Sequence, residues 1–337
     1  MNTQSRRQYS QASVNLSRRM PSRSTFPRNQ PTKTRHKLTP TKNNRSARIP
    51  MAPDTQISTA AIEKIEQALV KKLDAGEVEL PLLPQVASQV MALAADATAD
   101  AAKLSSLIHQ DQALAAHVLR IANSPAYMPR SPVVSLQHAV AMLGINLLSE
   151  IAFTASLKNG AFQVPGHEDH VKLLWRHSLA SGAFGKEVAR MRRVNVETAY
   201  LCGLLHGIGK PVVLRTVANL AKDLKVTADR AMMQQLLDGY HTRVGTLIAD
   251  KWGLPKQVAE AIACYQEYDH ATSFRQDCLL TCVADRLATH LLEPETLPEA
   301  ELREHPVFAD LNLYPTDIDQ LLAGKEKALA LVNAMNL

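Results

Sequence analysis

Apolar residues recur at three- and four-residue intervals through most of the chain, beginning with Ile62, Ile65, Leu69 and Leu73. That spacing gathers them on one face of an α-helix and predicts a leading helix over 59–76, with Gly76 as its stop. The segment LPLLP, Leu80 to Pro84, then enters a second helix through Val86, Val90, Met91 and Leu93, with prolines where a helix entry tolerates them. Leu104, Leu107 and Ile108 predict a short helix, and beyond a break at Asp111 the stripe Leu114, Ala115, Val118, Leu119 and Ala122 predicts another. Pro125 has no amide to donate and disfavours helical backbone before it, so this helix should stop at Asn123-Ser124. Ser135 is positioned to cap the next one, whose stripe is Ala139, Val140, Leu143, Leu147 and Ile151. Gly144 falls inside that stripe. In a helix interior a glycine costs roughly 1 kcal/mol against alanine, so close helix packing is expected there. Further helices are predicted over 170–191, 196–206, 228–252, 255–267 and 276–291, with Gly253 and Pro255 as stop and start signals.

Composition agrees with an all-α fold, a multi-helix bundle. Hydrophobic residues make up 46% of the 337 positions but aromatic ones only 4%, and Ala and Leu dominate the periodic segments. A sheet built from β-branched and aromatic residues is not expected. Residues 1–55 lack periodic apolar positions and read as a disordered basic tail. The expected body is the leading helix, a helical domain over 80–290 and a C-terminal helical extension over 291–337.

Charge is unevenly distributed. The first 50 residues carry 12 Lys and Arg and no Asp or Glu. Such a leader resembles an organelle transit peptide and could equally contact nucleic acid or anionic lipid. A second reading starts the native chain at Met51, in MAPDTQIS, where the composition changes. From Met51 onward there are 26 basic and 32 acidic residues, so the net charge of +6 belongs to the tail. The body therefore has no general electrostatic attraction to nucleic acid, and only the tail could supply it. The four cysteines, Cys202, Cys264, Cys278 and Cys282, have no C-x-x-C spacing, which fits a reducing cytoplasm. No apolar run reaches the ~18 residues of a membrane span.

Three separated blocks carry a family resemblance. The first is HQDQALAAHVLRIANSPAY, His109 to Tyr127. The second is LWRHS, Leu174 to Ser178, followed by AYLCGLLHGIGK, Ala199 to Lys210. The third is HTRVGTLIADKWGLP, His241 to Pro255, continuing to VADRLA at Val283 to Ala288. Their order and spacing are similar to the HDOD family, signalling relatives of the HD phosphohydrolases.

In active HD phosphohydrolases a His, an adjacent His-Asp pair and a distant Asp hold a divalent metal that polarises phosphate and activates water. The resemblance places these at His177, at His206 with Gly207, and at Asp285. Gly207 supplies no carboxylate, so the pair is broken. Two-metal members use further histidines: His241 matches one, whereas the expected His-His reads Tyr265-Gln266. No cofactor is expected. If a divalent metal is held, the resemblance implies His177, His206, His241 and Asp285. The plainer reading makes these histidines helix residues hydrogen-bonded within an ancestral pocket.

Lys210 either faces a phosphate, as the resemblance implies, or complements the macrodipole in the last turn of a helix. Trp175 reads as a core anchor, and Arg120 and Arg176 as solvated or paired with acidic helix positions. The corner Asn123-Ser124 and its proline-rich loop, with Tyr127, Met128 and Arg130, is either a partner contact or a capped helix end. The implied function is a non-catalytic signal-transduction or regulatory module that binds signalling proteins or a small nucleotide-like ligand in a vestigial cleft. The alternatives are a residual metal-dependent phosphohydrolase and a nucleic-acid-associated regulator acting through the tail.

Overall fold

The computed structural model describes residues 53–95, 101–127, 129, 131–160 and 164–335. Most of the tail lies outside them. The described residues from Met51 onward form a single unit in which every regular element is helical. Six helices come first: α1 (Pro53–Asp74), α2 (Gln85–Ala95), α3 (Ala101–His109), α4 (Gln112–Ala122), α5 (Leu136–Leu143) and α6 (Ile145–Gly160). Six more follow: α7 (Glu168–Arg192), α8 (Val196–Leu205), α9 (Lys210–Asp223), α10 (Arg230–Trp252), α11 (Lys256–Cys264) and α12 (Arg275–Leu292). Four short helices close the chain: α13 (Glu299–Glu304), α14 (Pro306–Asp310), α15 (Pro315–Ala323) and α16 (Lys325–Met335). The helix α1 starts earlier than its apolar stripe predicts, taking in positions 53–55 assigned to the tail. Among the described residues no helix is long and apolar enough to cross a membrane.

Local chemistry explains most boundaries. Asp111 caps α4 by accepting from the Leu114 amide at 3.0 Å, and Ser135 caps α5 by accepting from His138 at 3.1 Å. Gly253 ends α10 in the left-handed conformation, with φ +62°. Gly144 departs from its expectation. It lies between α5 and α6 with φ +81° and ψ 162°, and an added Cβ would meet nothing within 4 Å. It is there for its backbone conformation, not for close packing, and it divides the stripe into two helices.

The helix α9 answers to no stripe identified above, although Val213, Leu214, Val217, Leu220 and Ala221 are buried at helical spacing behind Pro211 in its first turn. Its β-branched valines and the Gly-x-Gly-Lys-Pro entry mask that pattern.

The helix α7 is the axis of the body, packed by α8 and α12 and covered towards its C-terminus by α15 and α16. Small residues bring the backbones together. A Cβ on Gly203 in α8 would lie 2.4 Å from the Ser181 carbonyl oxygen in α7, and one on Gly209 would lie 2.0 Å from the His241 carbonyl oxygen in α10. Trp175 is buried in the same core.

The helix α1 buries Ile65, Leu69 and Leu73 and packs on α9 and α10. Arg243 bonds Asp74 at 2.6 Å, Arg215 donates to the Glu79 carbonyl at 2.6 Å, and Trp252 donates to the Pro81 carbonyl at 3.0 Å. The connection from α1 to α2 is thereby strapped to the body.

The substitution Gly203→Ala should destabilise the fold by about 1–3 kcal/mol, since it forces a methyl group into the α7 backbone. At Gly239, in the middle of α10, a Cβ meets nothing; Gly239→Ala should stabilise by about 0.5–1 kcal/mol. Urea unfolding midpoints of the two variants should therefore move in opposite directions.

Candidate functional site

The helices that meet along α7 bring three of the expected residues to one point. His177 comes from α7, His206 directly follows α8, and Asp285 comes from α12. One ligand atom from each lies within 4.8 Å of the other two. His206 is fully buried, whereas His177 and Asp285 keep a small exposed surface. The Asp285 Oδ1 atom is 3.1 Å from His206 Nε2 and 3.5 Å from His177 Nε2.

The ring nitrogens can be assigned from their partners. His206 Nδ1 sits 2.7 Å from the Gly203 carbonyl oxygen, which can only accept, so Nδ1 carries a proton. Its Nε2 then faces the Asp285 carboxylate, and two lone pairs cannot share that contact. Either a second proton or a cation belongs between them. Thr289 donates its hydroxyl proton to the Asp285 carbonyl at 2.9 Å, so the lone pairs of its oxygen face His177 Nε2 at 3.1 Å. His177 thus points an N–H, not a lone pair, into the cluster.

His241 stands apart from this cluster. Its Nδ1 donates to the Leu237 carbonyl at 2.8 Å, and its Nε2 accepts the Tyr265 hydroxyl at 2.9 Å. Tyr265 is almost fully buried and also packs edge-on against the His206 ring, with centroids 4.8 Å apart. The residue that replaces an expected histidine therefore uses up the remaining lone pair of the next one. Sequence reasoning registered Tyr265 only as a missing ligand and gave no sign of Thr289, whose role depends on facing α7 one turn after Asp285.

Burial sets the protonation of the cluster. It drives His177 down to about 3 despite the opposing charge of Asp285. It also drives His241 down to about 4, with the nearby charge of Lys210 acting in the same direction. For Asp285, burial alone would raise the value; the hydrogen bond from His206 and the charges of His206, His177 and Lys210 hold it well below the usual carboxylate range.

Gly207 is buried beside His206, and a Cβ there would make only ordinary contacts with Lys210, at 3.6 Å from Cδ and 3.8 Å from Cε. Its φ is not positive, so neither the backbone nor the immediate space excludes a Cβ. Lys210 opens α9 instead of ending a helix. The macrodipole account fails for it, because a cation at a helix N-terminus is unfavourable.

The expected loop is pinned from within. The Asn123 amide donates to the carbonyls of Leu119 and Val133 and accepts from the Val133 amide, each at 2.8 Å. Ser124 is buried and Tyr127 half-buried, while Met128 and Arg130 lie outside the described residues.

Residues 80–268 match the model of the HDOD domain, and the chain belongs to that family. It is 23% identical over 242 residues to an uncharacterized protein of Treponema pallidum (strain Nichols), covering 69% of this chain and 46% of the relative, so it spans about half the length of that curated relative.

Solved structures share the fold. A protein of Shewanella amazonensis SB2B, provisionally named a metal-dependent phosphohydrolase, superposes with TM-score 0.64 at 19% identity, over 82% of this chain and 99% of that one. An HDOD domain protein of Geobacter sulfurreducens gives 0.60 at 22% identity, over 82% and 97%. A protein of Marinobacter aquaeolei VT8, provisionally named for signal transduction, gives 0.56 at 23% identity, over 84% and 66%.

The folded His241 value lies below the ordinary 6.5, so this histidine contributes stability that is complete above about pH 6.5 and is lost as pH falls towards 4. Between pH 7 and pH 5 the loss from His241 alone should be about 2 kcal/mol. Urea unfolding across that range checks it, with His241→Gln expected to flatten the slope.

Proposed function

We propose that the protein is a regulatory HDOD module that works by binding, and that the cleft at His177, His206 and Asp285 receives a ligand instead of hydrolysing one. The observation that carries this reading is Gly207. The position beside His206 admits a Cβ but carries no carboxylate, and the Lys210 side chain lies against it. A cation thus neighbours the single acid Asp285, where hydrolytic chemistry calls for further anionic oxygen to hold and polarise a metal.

The ligand best suited to this cleft is a small anion of the nucleotide type. Lys210 acts on His177, His241 and Asp285, and together with Arg230 it also acts on His170. Cationic side chains around a partly water-excluded cleft favour a phosphate or carboxylate.

A second reading, a residual metal-dependent phosphohydrolase, draws on the donor set itself. Two imidazoles and a carboxylate within mutual reach fit one divalent ion, with His177, His206 and Asp285 as ligands and the Gly203 carbonyl orienting His206. Binding would require His177 to turn a lone pair inward in place of its N–H. When bound, such an ion polarises a phosphoryl oxygen and lowers the pKa of water. A second ion is not provided for, because Tyr265 occupies the His241 lone pair.

The two readings separate on metal content and turnover. The full chain, purified without chelator or metal-affinity resin, should carry far less than one equivalent of divalent metal and leave bis(p-nitrophenyl) phosphate intact in excess Mn. The variant Gly207→Asp should gain retained metal, and His206→Ala should lose whatever is held. Stoichiometric metal in the wild type, removed by His206→Ala together with phosphodiester cleavage, would establish the hydrolase.

A further inference from the structure

A cavity lies on the C-terminal half of α7, away from the histidine cluster. It has a volume of about 330 Å³, is partly open to solvent, and is bounded by the loop after α4, by α6 and α7, and by α15 and α16. Its apolar lining includes Leu147, Phe184, Leu321 and Leu331. Charged side chains line it as well.

Three cations line the cavity, Lys186, Arg190 and Lys327, against one lining carboxylate, Glu187. Glu187 is shared, 2.5 Å from Arg190 and 3.1 Å from Lys327. Lys186 is largely buried and bonds Glu150 at 2.5 Å, with its ammonium 5.3 Å from the centre of the Tyr200 ring. Burial would raise the Glu150 carboxyl, and Lys186 counters it. Of the proline-loop residues, Tyr127 forms part of the lining. Among the lining residues cations therefore outnumber carboxylates three to one, with Glu150 and Glu197 behind the lining.

A concave volume at the small end of ligand pockets, lined largely by apolar side chains with a few polar groups, is the form a small-molecule site takes. We infer that this cavity binds a small amphipathic anion, whose apolar body lies against Phe184, Leu321 and Leu331 and whose single carboxylate or phosphate head is held by Arg190 and Lys327. The occupant would touch the early helices, α7 and the last two helices at once, joining parts of the chain that are remote in sequence. The assignment is independent of the histidine cleft, which lies about 15 Å away along the α7 axis as counted from His177 to Glu187.

Calorimetric titration of the full chain with octanoate, octyl phosphate, octylamine and octanol tests it. At least one of the two anions should bind saturably at one equivalent, roughly tenfold or more tighter than the amine and the alcohol, and the tighter anion identifies the head group. The exposed-site variant Lys327→Glu should weaken anion binding by a similar factor without loss of fold, and Leu331→Trp, which fills the apolar side, should weaken all four probes. Equal binding of anion and amine, no saturable binding of either anion, or unchanged binding in both variants would overturn the assignment. Metal content and behaviour of the His206→Ala variant are untouched by any of these outcomes.

Discussion

The close approach of helix backbones around α7 and α10 is the constraint from which the site follows. Gly203 lets α8 settle onto the Ser181 carbonyl, and Gly209 lets the start of α9 reach the His241 carbonyl. With a side chain at either position the helices would have to separate, and the cluster spans less than 5 Å between ligand atoms. His177, His206 and Asp285 come from three helices and owe their proximity to this packing. The Gly203 position serves twice, since its missing side chain admits α7 while its carbonyl fixes the His206 ring.

Two buried histidines with the same internal anchor reach opposite ends. His206 and His241 each donate from Nδ1 to a carbonyl three or four residues earlier, and each therefore turns Nε2 outward. The Nε2 of His206 meets a carboxylate and that of His241 meets a phenol. A carboxylate leaves room for a proton or cation between the partners, whereas the phenol supplies the proton itself. The difference between a centre that could receive a cation and one that is closed thus rests on which residue α11 and α12 present to an otherwise equivalent imidazole.

Much of this was legible in the sequence. Apolar spacing located α1, α4, α7 and α10, and the separated blocks named the three residues that meet. What it could not show were facts of opposition across helices. Tyr265 is an absent histidine when read along the chain and a hydrogen-bond donor when seen against α10. Lys210 reads as lying in the last turn of a helix, although Gly209 and Pro211 begin a new one. Gly144 reads as a packing contact within an unbroken stripe, whereas its positive φ turns the chain between two helices. In each case the local pattern was sound, but the deciding atom belonged to another element or to the backbone.

The 25 residues of α7 place the histidine cluster and the cavity beside Glu187 on one unbroken strut. No proline interrupts it, and its first irregularity is the left-handed Arg193 at its C-terminal cap, with φ +53°. Its most pliable stretch, Ser181-Gly182 and Gly185, lies against Tyr200 and Ala199 of α8, so the stiffness of the strut belongs to that contact as much as to the helix itself.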